Sequence, residues 1–255
     1  MIRVLSITII TVHHSPFFIL LIKEAIMKTI ISEKNESCKK AAERIVQLLS
    51  EKHEACLAFS AFDLPDAFFE ELIELYAAGK ADFSKVRFFS VGEFISCDKL
   101  STVLWKKFLS RVNVSRENCF FLKEDSYSDY DEMIASFGGL DMIVLGLGKN
   151  SQIAFNEPGT AFASLTHIQR LSDSYRNQFA ELFGGAEKVP EKAVTLGIKS
   201  ITEADSIIVM AFGEEKADAL HKMVYARNDP ATPAAFLQLP SDVSVYADPA
   251  AAGKL

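Results

Sequence analysis

The densest run of chemistry-bearing residues is Gly146-Leu147-Gly148-Lys149-Asn150-Ser151-Gln152-Ile153-Ala154-Phe155-Asn156-Glu157-Pro158, directly after the apolar stretch Met142–Leu145. Glycines behind a buried strand let backbone approach a ligand closely, although such loops are common in α/β proteins. Glu157 is a carboxylate able to pass a proton, and Glu93, just beyond Val86–Val91, is a second. The amides of Asn150 and Gln152 donate and accept hydrogen bonds but do not titrate near neutral pH. In Ser60-Ala61-Phe62-Asp63-Leu64-Pro65, Asp63 reads as the N-cap of a helix whose first turn holds Pro65. Lys216 opens a later helix and reads equally as a ligand-binding cation or a solvated lysine. Five histidines (His13, His14, His53, His167, His221) all fall outside these loops.

Four cysteines, Cys38, Cys56, Cys97 and Cys119, are widely spaced with no C-x-x-C. Neither a zinc ribbon nor a redox pair is expected; no metal or cofactor is implied, and a reducing cytoplasm is the default. Each thiol reads as a small buried apolar residue. The 255 residues carry 34 acids and 27 bases, a formal charge of −7. An acidic chain without a Lys/Arg run argues against nucleic acid and against a polybasic membrane anchor.

These loops must be held by an alternation of strands and helices. Strands are expected at Thr29–Ser32, Ala55–Phe59, Val86–Val91, Asn118–Leu122, Met142–Leu145, Ser206–Ala211 and Val243–Tyr246. Helices are expected at Glu36–Lys52, Pro65–Ala78, Ser101–Val112, Tyr127–Phe137, Ser174–Phe183, Glu214–Ala226 and Pro233–Leu239. In the first of them Ala41, Ala42, Ile45, Val46 and Leu49 recur at helical spacing. The pattern predicts an α/β protein: a doubly wound, mainly parallel, Rossmann-like sheet with helices on both faces. Ligands in such folds sit beyond the carboxyl ends of strands, here the loops after Phe59, Val91, Leu145 and Phe212.

Residues 1–26 differ from the rest. Their two apolar runs, split by His13-His14-Ser15-Pro16, each fall short of the ~18–20 residues that span a bilayer. No small-residue cleavage site follows, so a signal peptide is disfavoured. Met27 makes a natural opening, and residues 1–26 are read as an upstream start or dispensable extension, with secretion or an added structural element as alternatives. Residues 27–255 read as one domain.

The run Ala154-Phe155-Asn156-Glu157-Pro158 resembles the signature of the glucosamine-6-phosphate deaminase/isomerase family, G-x-G-x-D-G-H-x-A-F-N-E-P. The likeness continues through Ala163-Ser164, Val189-Pro190, Ala193–Ile198, Phe212-Gly213, Lys216-Ala217 and Leu237-Gln238, and reaches back to Phe88-Phe89 with Glu93-Phe94, similar to the family's F-x-x-D-E-Y. The related lactonase branch lacks F-N-E-P. The resemblance implies carbohydrate metabolism and interconversion of glucosamine- or galactosamine-6-phosphate with a ketose phosphate. That chemistry uses the D-E-Y Asp as base and the D-G-H His for ring opening, with the D-G-H Asp and the F-N-E-P Glu orienting the His. Here those positions are Gly92, Gln152, Asn150 and Glu157, so only Glu157 stands as in the family. The family's phosphate loop matches Ser60, Ala61, Phe62 and Asp63, where Phe62 and Asp63 replace paired glycines; Lys216 matches a family lysine, and Glu181 falls where the family uses a phosphate-binding Arg. Three readings stay open: a family-type isomerase/deaminase; a non-catalytic relative that binds a small polar molecule or regulates; and an enzyme acting on a non-phosphorylated sugar with Glu157, Glu93 or both as the acid–base pair. Family members are often oligomers, so a homo-oligomer is a resemblance-level expectation.

Overall fold

The computed structural model describes residues 26–255. Apart from Ile26, the stretch read as an N-terminal extension lies outside the described residues. In chain order the strands are β1 (Ile26–Ile31), β2 (Cys56–Phe59), β3 (Arg87–Ser90), β4 (Gly92–Phe94), β5 (Cys119–Phe120), β6 (Met142–Gly146), β7 (His167–Arg170), β8 (Lys192–Thr195), β9 (Ser206–Ala211) and β10 (Asp242–Ala247). The α-helices are α1 (Lys34–Glu51), α2 (Asp66–Ala77), α3 (Lys99–Lys107), α4 (Tyr130–Ser136), α5 (Asp173–Arg176), α6 (Ala180–Phe183), α7 (Ile198–Thr202) and α8 (Ala217–Tyr225).

Seven strands form one parallel sheet in the order β1-β10-β9-β6-β2-β3-β5. Every residue of β6 and β9 is buried, as expected of central strands covered on both faces. Alternation along β2 splits the core: Leu57 and Phe59 join a phenylalanine-rich layer with Phe68, Phe88 and Phe108, while Cys56 and Ala58 face Phe89, Leu145 and Val209. The fold is thus the doubly wound α/β architecture the alternation predicts.

Sheet order turns around between β2 and β6. β2 is followed outward by β3 and β5, while β6 leads the other way to β9 and β10. The loops leaving the carboxyl ends of β2 and β6 therefore diverge and open a crevice, the usual ligand position in such sheets.

A second sheet, β4-β8-β7, is antiparallel throughout and was not expected from sequence. It changes the reading of Val86–Val91: the strand stops at Ser90, and after Val91 the chain enters β4, where Gly92 pairs with Thr195. Ser174–Phe183 is also not one helix, because a 3-10 turn at Asn177–Phe179 separates α5 from α6. Pro233–Leu239 is a 3-10 helix ending at Gln238, and Glu214–Ala226 opens with a 3-10 turn before α8.

Candidate functional site

The crevice is bounded by the loop after β2 (Ser60, Ala61, Phe62, Asp63), by Val91 and Gly92, by Ala154 and Phe155, and by Leu100, Tyr175 and Phe179. The space enclosed is about 20 Å³, close to the volume one water needs.

Aromatic rings fill it. Phe62 lies 4.3 Å from Phe179 between ring centroids. Phe155 packs edge-on to Phe94 at 5.1 Å and against Phe179 at 5.8 Å and Tyr175 at 6.0 Å. Gly92 is the floor. A Cβ there would fall 2.8 Å from Phe155 Cδ2 and 2.9 Å from the Val194 carbonyl oxygen. The missing side chain is therefore what lets the Phe155 ring seat on β4.

The loop after β2 departs from the capping expectation. α2 begins at Asp66, Pro65 occupies the N-cap position, and no side chain caps the helix. Proline there supplies no side-chain oxygen, and Asp63 is held elsewhere. Asp63 sits directly on the end of β6: a Cβ at Gly146 would lie 2.1 Å from Asp63 Cβ and 2.6 Å from its carbonyl oxygen. The Asp63 carboxylate bonds no amide at the start of α2, and the backbone amides of residues 61–64 donate to no described residue. Burial pushes the Asp63 carboxyl above the usual carboxylate range, partly opposed by the Lys216 ammonium. Burial likewise lowers the Lys216 pKa, against the pull of Asp63. Lys216 Nζ donates to the Leu147 carbonyl at 2.6 Å. The expected ligand-binding residues Ser60, Ala61, Phe62, Asp63 and Lys216 are thus brought to one end of the sheet.

The two candidate carboxylates are occupied by backbone. Glu93, 2% exposed, accepts from the amides of Phe94 (2.9 Å), Leu100 (3.0 Å) and Ser101 (2.8 Å), and so caps α3 from outside its own sequence. Burial nevertheless raises its pKa, with those three donors pulling the other way. Glu157 accepts from the Ser172 amide at 2.8 Å and from the Ser172 hydroxyl. Ser172 Oγ in turn accepts from the Tyr175 amide, capping α5. The Tyr175 hydroxyl donates to the Ala154 carbonyl at 2.7 Å, so residues 154–157 and 172–175 are tied at both ends.

Asn150 is exposed, and its amide donates to Gln152 Oε1 at 2.8 Å. Gln152 is 1% exposed and folds back over Gly148, where a Cβ would stand 2.3 Å from its Oε1. Its Nε2, Ser151 Oγ and Asn156 Oδ1 are buried without partners. Ser151 (φ 62°) and Ala154 (φ 53°) are both left-handed, a cost that L-residues bear only where their surroundings enforce it. No described histidine enters the crevice: His53 and His221 are elsewhere, and His167 lies on β7 with Nδ1 2.8 Å from the Leu165 carbonyl. Tyr175, Phe179 and Ser172 went unrecognised in the sequence; the available signal was the i, i+4 spacing of the two aromatics.

Fold and crevice define a doubly wound α/β protein with a narrow, ring-lined crevice at the carboxyl ends of its strands. The chain belongs to the glucosamine-6-phosphate isomerases/6-phosphogluconolactonase family, whose model matches residues 32–246. It is 37% identical over 228 residues to a glucosamine-6-phosphate deaminase of Clostridioides difficile strain 630, across 85% of this chain and 92% of that one. A deaminase of the same name from Clostridium botulinum is 33% identical over 241 residues, across 90% and 99%. A solved monomeric glucosamine-6-phosphate deaminase matches with a TM-score of 0.86 at 27% identity, across 90% of this chain and 100% of the other. The 6-phosphogluconolactonase of Trypanosoma brucei shares the fold, with a TM-score of 0.71 at 17% identity across 90% and 99%.

Proposed function

We propose that this protein is a non-catalytic member of its family, a small-ligand-binding relative in cytoplasmic amino-sugar metabolism whose residues 27–255 act as one sugar-phosphate-isomerase-like domain. The single observation that carries the reading is the packing at Gly92. The side chain of the expected general base is missing there, and the Phe155 ring and the Val194 carbonyl stand where its Cβ would project.

Three further features support it. Gln152 stands at the ring-opening histidine position and is folded into its own loop, with an amide that does not titrate near neutral pH. Asn150 stands at the partner carboxylate position and is exposed. Glu157, retained, is bonded to Ser172 rather than to an imidazole. General acid–base assistance is typically worth about 10²–10⁴ per group. Losing two such groups removes roughly 5 kcal/mol or more of barrier lowering. The commitment of Glu93 and Glu157 to backbone amides also weighs against their serving as a replacement pair.

Ammonia release from glucosamine 6-phosphate and galactosamine 6-phosphate tests the reading. The expected result is no release above the reagent background. Turnover within about a hundredfold of an ordinary enzyme, about 10 s⁻¹, would refute it.

A further inference from the structure

We propose that Asp63 is the specificity-determining residue of the cleft, setting it against phosphate esters and toward an unphosphorylated sugar. The inference deepens the ligand-binding reading above and rests on it.

Three features at the end of β2 would favour an anion: the unbonded amides of residues 61–64, the uncapped N-terminus of the twelve-residue α2, and the half-buried Lys216 ammonium. The chain sets Asp63 in the same crevice, within electrostatic reach of Lys216. Asp63 is not free to swing its backbone away, because its main chain is pressed onto Gly146. Its carboxylate accepts no hydrogen bond from a described residue, and Lys216 gives its direct bond to the Leu147 carbonyl instead. A dianion entering here meets a negative charge that nothing nearby neutralises by contact. A sugar hydroxyl or amino group meets an acceptor with its lone pairs open.

The test is calorimetric titration of glucosamine, glucosamine 6-phosphate and inorganic phosphate into wild type, Asp63→Asn, Asp63→Ser and Glu54→Gln. Glu54 is the control. It precedes the amino end of β2, its side chain is 58% exposed, and it pairs with Arg87 at 3.0 Å, so its loss changes net charge by the same amount away from the cleft. The expected result is that Asp63→Asn and Asp63→Ser raise affinity for glucosamine 6-phosphate, relative to glucosamine, by at least about tenfold, equivalent to about 1.4 kcal/mol. Inorganic phosphate should follow the same trend, with Glu54→Gln behaving as wild type. Wild type binding the phosphate ester at least as tightly as glucosamine overturns the inference. So does an unchanged ratio in both Asp63 variants, or an equal gain in Glu54→Gln. Ammonia measured in the same samples reports separately on catalysis, so failure of the non-catalytic reading is distinguishable from failure of the selectivity.

Discussion

Replacing Gly92 by alanine adds one methyl group where the structure leaves no room. The new Cβ would stand 2.8 Å from Phe155 Cδ2, 2.9 Å from the Val194 carbonyl oxygen and 3.0 Å from Phe155 Cε2. Carbon–carbon contacts settle at about 3.5–4.0 Å, so the ring must retreat by roughly 0.7 Å. Phe94, Tyr175 and Phe179 surround it, with centroids 5.1–6.0 Å away. The Val194 oxygen has less freedom, since Val194 is paired with Glu93 in the β4–β8 ladder. Overpacking of this kind costs about 1–3 kcal/mol. For a chain of this length that lowers Tm by roughly 2–12 °C. Phe155→Leu, which leaves space at the same spot, should absorb part of the cost, and a double-mutant cycle read by urea unfolding gives the coupling directly. An Asp at residue 92 adds a buried carboxylate to the same overlap. The combined Gly92→Asp, Asn150→Asp, Gln152→His protein should therefore be less stable and still release no ammonia. A Gly92→Ala protein as stable as wild type and uncoupled from Phe155→Leu would refute the packing argument, and family-like turnover in the triple variant would refute its functional extension.

Asp63 should tie stability to pH. Its folded-state pKa is raised by burial, so the folded chain keeps the proton to higher pH than the unfolded chain. The penalty is absent below about pH 4, where both states are protonated, and grows to its full value above the folded-state pKa. Asp63→Asn should melt higher than wild type at pH 7 and lose that advantage toward pH 4, as thermal melts across the range would show. Glu93→Ala strips the acceptor from two amides at the start of α3 and from that of Phe94 in β4 and should cost about 2–4 kcal/mol by urea unfolding, with Glu93→Gln recovering much of it. Ser172→Ala removes both the α5 cap and the hydroxyl bond to Glu157; it should cost about 1–2 kcal/mol and speed hydrogen exchange in residues 172–183 while leaving β6 and β9 protected.

The parallel sheet was legible because its strands are continuous apolar runs and its helices have strong 3.6-residue periodicity; Met142–Leu145 and Ser206–Ala211 are the centre of the sheet. The second sheet was not, because β4 and β8 hold three and four residues, too few for alternation to show. β4 also begins only two residues after β3 ends, so the two read as one strand. Among the site residues, the pair Gly146 and Gly148 was weak evidence on its own; in the structure both glycines admit a close approach by parts of the same chain, Asp63 and Gln152. Asp63 before Pro65 followed the statistics of a capping residue, and tertiary contact with β6 overrode them. Glu93 caps a helix six residues ahead across a turn, a geometry no local capping rule encodes.

Four of the altered positions are each packed against a residue that depends on them, whereas Asn150 is exposed. Gly92 makes the seat of Phe155; Phe62 finds Phe179; Asp63 rests on Gly146; Gln152 folds over Gly148. Restoring any one of these four alone disturbs a contact already made, and cores tolerate added volume poorly because they are close-packed. Isolated drift at a disused catalytic residue would instead leave its neighbours untouched, with an open cleft and a stray substitution. Here three of the four changes either fill the space with apolar rings or press loop against strand, and the fourth turns an amide back into its own loop. On the proposed non-catalytic reading the cleft was remodelled as a unit, and a route back to sugar-phosphate chemistry would first pass through Phe62 and Phe155 before any proton-transfer group is replaced.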